Sequence, residues 1–139
     1  MNHALAGWLQ QWPVELIARI CLVGMFPFSA LDKLLHRADA LAQARSSIVP
    51  AVLAPALLLA GGLLEVVGPV CVVSGWMAGP AALLLALYCA ATALLFHAFW
   101  NRGDFWRPGA SQGRTHFWDF TKNFGLAGGL LLVAAGHGF

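Results

Sequence analysis

The stretch LAPALLLAGGLLEVVGPVCVVS (53–74), followed after Gly75-Trp76 by MAGPAALLLALYCAATALLFHAFW (77–100), decides the fold. Each piece exceeds the roughly 20 residues that a helix needs to cross a bilayer. Both are rich in Leu and Ala and neither alternates in period two, which argues against barrel strands. Backbone groups in lipid must be satisfied within their own segment, so the pieces read as helices joined in a hairpin. Two further stretches, at about 14–34 and about 118–136, have comparable length and apolarity. The expected fold is all-α. It is an integral membrane four-helix bundle, one domain over 1–139, with spans at about 14–34, 53–74, 77–100 and 118–136.

Composition points the same way. Of the 139 residues, 60% are hydrophobic and 10% charged, against about 45–50% and about 25% in ordinary soluble domains. A chain this small leaves much of its surface wet and cannot hide that excess in one core. Disorder is excluded, and the bilayer is the expected surrounding. The net charge of +2 comes without a basic block, so no nucleic-acid partner is indicated. Cys21, Cys71 and Cys89 lie in apolar runs without a C-x-x-C pair and read as buried small hydrophobes. The first apolar segment lacks a basic leader and is followed by Asp32, Lys33, His36 and Arg37. It reads as a retained span, with Ala42-Gln43-Ala44 too far beyond it for a cleavage site.

The connections 36–50 and 101–117 are longer and polar. The first has room for a short surface helix that Pro50 would end. The second mixes glycine, arginine and aromatics, as an ordered interfacial loop would. Seven of the eight basic residues fall on one side: Lys33, Arg37, Arg45, Arg102, Arg107, Arg114 and Lys122. Arg19 lies toward the other. The positive-inside rule then puts both long loops in the cytoplasm of a bacterial inner membrane and both termini outside. Phe99, Trp100, Phe105, Trp106, Phe117 and Trp118 on one face, and Trp8 and Trp12 on the other, are placed as aromatic belts would be.

Helical geometry assigns each span an inward stripe. On the second, Ala54, Gly61, Glu65 and Val72 lie within about 40° of one line. On the third, Ala86, Ala90, Ala93 and His97 do so. On the fourth, Lys122, Gly129 and Gly136 align with Gly125 close by, and Gly125 and Gly129 form a close-approach motif. On the first, Glu15, Arg19, Phe26, Ala30 and Lys33 share a stripe.

A charge inside a span is costly and marks a functional candidate. Glu65 falls near mid-span and needs a cation or a proton. Arg19 is the expected partner, with Glu15 as a second acceptor one turn away. The pair reads either as a register-fixing contact, whose breakage costs about 3–5 kcal/mol, or as a proton- or quinone-linked carboxylate. His97 and Lys122 lie toward the cytoplasmic end, with Asp32, Lys33, His36, His116 and Asp119 near in depth, and Asn123 completes the inward polar set. Such donors suit an anionic or quinone headgroup, or snorkel at a helix end. No metal spacing is present, neither H-E-x-x-H nor a paired Glu-x-x-His. His3 and His137 receive no role.

Several of these stretches have a family likeness. Arg19 with Phe28-Ser29-Ala30-Leu31-Asp32-Lys33, then Gly61-Gly62-Leu63-Leu64-Glu65, then His97-Ala98-Phe99-Trp100 and the run 120–131 come in a characteristic order. In that order the chain resembles the DoxX family of small bacterial four-span membrane proteins. It departs from the family at Ala30, where glycine is frequent, and at Pro69, where a second glycine is frequent. Pro69 would kink the helix one turn beyond Glu65. The resemblance implies a redox-associated membrane role. Some relatives are similar to the small subunit of a thiosulfate:quinone oxidoreductase. Others associate with a superoxide dismutase and a sulfurtransferase, and a distant eukaryotic branch acts in cargo export.

Residues and resemblance together give the expected role: an accessory or quinone-interacting subunit of a membrane thiol or oxidative-stress redox system. The sequence carries no flavin, haem or iron–sulfur motif, so electrons would come from a bound quinone or a redox-protein partner. Whether the chain is itself an enzyme stays open, as does self-association. Two alternatives remain. One is a small proton-coupled transporter, disfavoured by the loop-charge bias and by a glutamate in the second span. The other is a non-catalytic scaffold or chaperone that docks a partner through 101–117.

Overall fold

The structure is a computed structural model that describes residues 12–137, so Trp8 and His3 lie outside the described residues. Among the described residues six α-helices follow one another: α1 (Trp12–Val23), α2 (Met25–Leu35), α3 (Arg37–Arg45), α4 (Ala54–Ser74), α5 (Ala78–Phe96) and α6 (Gln112–His137). No strand occurs among the described residues. The chain is an all-α membrane bundle.

The first apolar segment is broken into α1 and α2 at Gly24. Pro27 has no N–H for the Val23 carbonyl, and its ring crowds that group, so the ladder is interrupted one turn earlier. The polar segment RADALAQAR forms α3, and Pro50 leads into a 3-10 turn, Ala51–Leu53, that opens α4. The turn between α4 and α5 needs Gly75, whose φ of +81° lies in the left-handed region and whose N–H closes onto the Cys71 carbonyl at 3.0 Å.

α5 sits between α4 and α6. Its alanines at 78, 82, 86 and 93 and Leu85 are buried. At Gly68 of α4, a Cβ would stand 2.9 Å from the Leu85 side chain, so glycine sets the closeness of that crossing. α2 packs on α4, and α1 closes the bundle by laying Leu22 against Gly129 of α6. Outer faces are strongly apolar: Leu59 is 67% and Leu132 77% exposed. Such a surface is stable against lipid and not against water.

Among the described residues, three stretches are long and apolar enough by length and composition to cross a membrane: Trp12–Leu35, Ala51–Ser74 and Ala78–Asn101. α6 is the fourth long helix and the longest, with 26 residues; its first half carries Arg114, His116, Asp119, Lys122 and Asn123, which makes it less apolar than the other three. Its inward stripe also differs from the expected one. Gly113, Ala127, Leu130 and Ala134 are buried, while Lys122, Gly125 and Gly136 face outward. Cys71 and Cys89 are buried as expected, but Cys21 is exposed. The aromatics around the α5–α6 loop pack on one another as well as facing outward. Phe99 meets Trp100, Phe117 and Phe120 edge to face at 5.1–5.5 Å between ring centroids.

That loop is held by α6 itself. The Asp104 carboxylate accepts the N–H groups of Gln112 (2.7 Å) and Gly113 (2.9 Å), which a helix start leaves without partners. Ser111 accepts the Arg114 N–H, and the Arg114 guanidinium donates back to the carbonyls of Phe105, Arg107 and Gly109. The Gly113 N–H above all, then that of Gln112 and the charge of Arg107, hold Asp104 below the usual carboxylate range. A depressed carboxylate stabilises the fold above its unfolded pKa, and that contribution disappears as pH falls through the folded value. Amide exchange at Gln112 and Gly113, followed from neutral pH to below about 4, will accelerate in the wild type beyond the intrinsic pH trend. In Asp104→Ala it will already be fast at neutral pH. Protection in Asp104→Ala equal to the wild type would refute the capping role.

Candidate functional site

Glu65 lies in the middle of α4, 2% exposed. An apolar helix leaves a carboxylate there only two options: neutralisation or a cation. The cation is Lys33, whose Nζ stands 2.6 Å from Glu65 Oε1. Ser29, one turn earlier on the same face of α2, donates to that oxygen at 2.9 Å. From α5, the Tyr88 hydroxyl donates to it at 3.0 Å. Lys33 Nζ also donates to Tyr88 Oη at 2.7 Å and lies 5.3 Å from the ring centroid. Oε1 thus receives three donors from two helices, while Oε2, equally buried, has no partner among the described residues.

The backbone of α4 is adapted to this cluster. A Cβ on Gly61 would come within 3.2 Å of the Tyr88 ring, so glycine lets the ring lie across the helix. Pro69, four residues beyond Glu65, offers no N–H to the Glu65 carbonyl. A cavity of about 360 Å³ opens beside the cluster. Lys33, Gly61 and Tyr88 line it at one end, and Leu57, Leu95 and Phe96 are among its apolar walls.

The expected Arg19–Glu65 pair is absent. Arg19 instead binds Glu15 and His137 and donates to the Val72 carbonyl at 3.2 Å. Val72 lies seven residues beyond Glu65, about 10 Å along the helix axis, and its carbonyl is one of those a helix end leaves free. Arg19 therefore closes the end of α4 and ties it to α1 and to the end of α6. Glu15 is its acceptor, as expected, and His137, which was given no role, is its third partner.

The remaining candidates form a separate set. His97 ends α5 and faces His116 of α6, Nδ1 to Nδ1 at 3.2 Å, with Asp119 Oδ2 3.9 Å from the same nitrogen. Lys122 stays exposed and reaches Asp119 at 3.6 Å, while Asn123 donates to the Asp119 backbone carbonyl. Asp32 and His36 pair with each other at 3.0 Å on the surface. Sequence reasoning thus grouped Lys33 with His97, whereas the fold groups it with Glu65. It also passed over Tyr88 and gave Ser29 no part in the pair. Tyr88 is the chain's one tyrosine, a hydroxyl in an otherwise apolar run, and that rarity was the available signal.

Residues 14–98 match the family model described as DoxX, a range that holds Ser29, Lys33, Glu65 and Tyr88. The likeness read over 120–131 lies beyond the matched residues. No curated protein and no solved structure matches the chain.

Breaking a buried ion pair by removing one partner costs about 3–5 kcal/mol, and removing both restores much of the loss. Lys33→Met and Glu65→Gln will each lower thermal stability in detergent, and the double variant will lie above the sum of the two. Arg19→Met combined with Glu65→Gln will be additive. Coupling between Arg19 and Glu65 that exceeds the Lys33–Glu65 coupling would contradict the assignment.

Proposed function

Since the chain belongs to the DoxX family, we propose that it is a quinone-interacting, accessory subunit of a membrane thiol or oxidative-stress redox system. In this reading it lies in a bacterial inner membrane with its basic loops in the cytoplasm and receives electrons through a redox-protein partner. The observation that carries the proposal is the position of Lys33. Its ammonium is bonded to both Glu65 and Tyr88 and lines the apolar cavity.

The residues suit a quinone. The ring and its apolar tail need walls such as Leu57, Leu95 and Phe96. The ring oxygens need donors: Lys33 has one N–H beyond those given to Glu65 and Tyr88, and the Tyr88 hydroxyl supplies a second by turning from Glu65, which keeps Lys33 and Ser29. When bound, a quinone supplies two-electron, two-proton carrier chemistry. The Lys33 ammonium stabilises negative charge that develops on an oxygen at this end of the cavity, and it does so in a dry site where such charge is otherwise costly. Glu65 fixes the ammonium in place. Tyr88 lines the cavity and its hydroxyl donates to Glu65, so a hydroxyl that turns between the two carries a proton between cavity and carboxylate. Leu57, Leu95 and Phe96 limit the access of water.

The test is purification from the native membrane in mild detergent, with extraction of quinones and mass spectrometry of co-purifying proteins. Wild type should retain near-stoichiometric quinone and a redox partner. Tyr88→Phe, which keeps the packing of the ring, should reduce quinone retention by about tenfold, as expected for one lost buried hydrogen bond. Quinone-free wild type, or unchanged retention in Tyr88→Phe, would overturn the reading.

A further inference from the structure

A second cavity, of about 330 Å³, lies on the other flank of α4, between α2, α3 and α4. We propose that it is a binding site for an anionic glycerophospholipid, with one acyl chain in the groove and the phosphate on Arg37. The argument is independent of the quinone reading and rests on three observations.

The first is polarity. The walls are apolar, with Leu34, Leu41, Leu59, Leu63 and Val66 among them, except for two charged members, Lys33 and Arg37. The second is charge. Lys33 is already bound to Glu65 and Tyr88, whereas Arg37 has no carboxylate partner among the described residues. Arg37 opens α3, a polar nine-residue helix, and is exposed. A free guanidinium at the mouth of an apolar groove fits a phosphate through paired N–H donors. Basic pockets between membrane helices commonly hold anionic lipid headgroups.

The third is length. Along α4 the groove runs from Pro55 to Val66, about 16 Å at the helical rise. One leaflet of a bilayer has a hydrocarbon depth of about 15 Å. A chain anchored by its phosphate at Arg37 therefore ends at the level where the leaflet ends. A soluble anion would use Arg37 and leave the groove, and a neutral lipid would use the groove and leave Arg37.

Native mass spectrometry of the full chain, titrated with phosphatidylglycerol and with phosphatidylcholine of the same acyl chains, tests the site. Wild type should retain the anionic lipid about fivefold better, the worth of one interfacial basic residue. Arg37→Gln should bring the two lipids level, and Arg37→Lys should keep part of the preference. Gly62→Phe, which fills the groove, should lower retention of both. Because Arg37 is an exposed residue at a helix start, its variants test binding without disturbing the core. Equal retention of both lipids by wild type, or an undiminished preference in Arg37→Gln, would overturn the proposal. So would a bound free fatty acid displacing the phospholipid. Quinone retention in Arg37→Gln should be unchanged, which separates this proposal from the preceding one.

Discussion

A carboxylate in the centre of a membrane-embedded helix organises this bundle. Glu65 is sealed from solvent among Leu, Val and Gly, where an isolated charge would not persist. Its neutralisation requires α2 to bring Ser29 and Lys33 to the same level, and α5 to turn Tyr88 toward it. Three donors on one oxygen fix the depth of two helices against a third. The glycines at 61 and 68 then make sense as clearances that let α5 come close enough for Tyr88 and Leu85 to seat.

The break at Gly24 belongs to the same arrangement. α1 and α2 serve different levels of α4: Arg19 reaches Val72 near its end, and Lys33 reaches Glu65 near its middle. The interruption that Pro27 imposes lets one apolar segment present two cations to one antiparallel neighbour at two depths.

Much of this was legible in the residues. The stripe Ala54, Gly61, Glu65, Val72 does face inward, and Phe26 and Ala30 are buried as the same geometry requires. The partner of Glu65 was not legible, because angular position says which side chains face a neighbour but not at what height the neighbour stands. Height is set by loop length and by the helix break, and Ser29, level with Glu65, is ten residues beyond Arg19, about 15 Å along an ideal helix. The inward face of α6 failed for another reason. Glycines in the sequence mark where close contact is possible, but the surface they meet is decided by the partner. α5 offers an alanine-rich face, into which Leu130 fits, and leaves Gly125 and Gly136 outside. Tyr88 was missed because its angle differs from the stripe through Ala86 and Ala93. α5 is covered on two sides, so a single inward stripe does not describe it.

Lys33 and Leu58 are common to the walls of both cavities. The two spaces therefore share one wall. The bonds from the Lys33 ammonium to Glu65 and Tyr88 hold that wall in place. The neutralisation of one buried carboxylate thus also sets the boundary between the two flanks of α4.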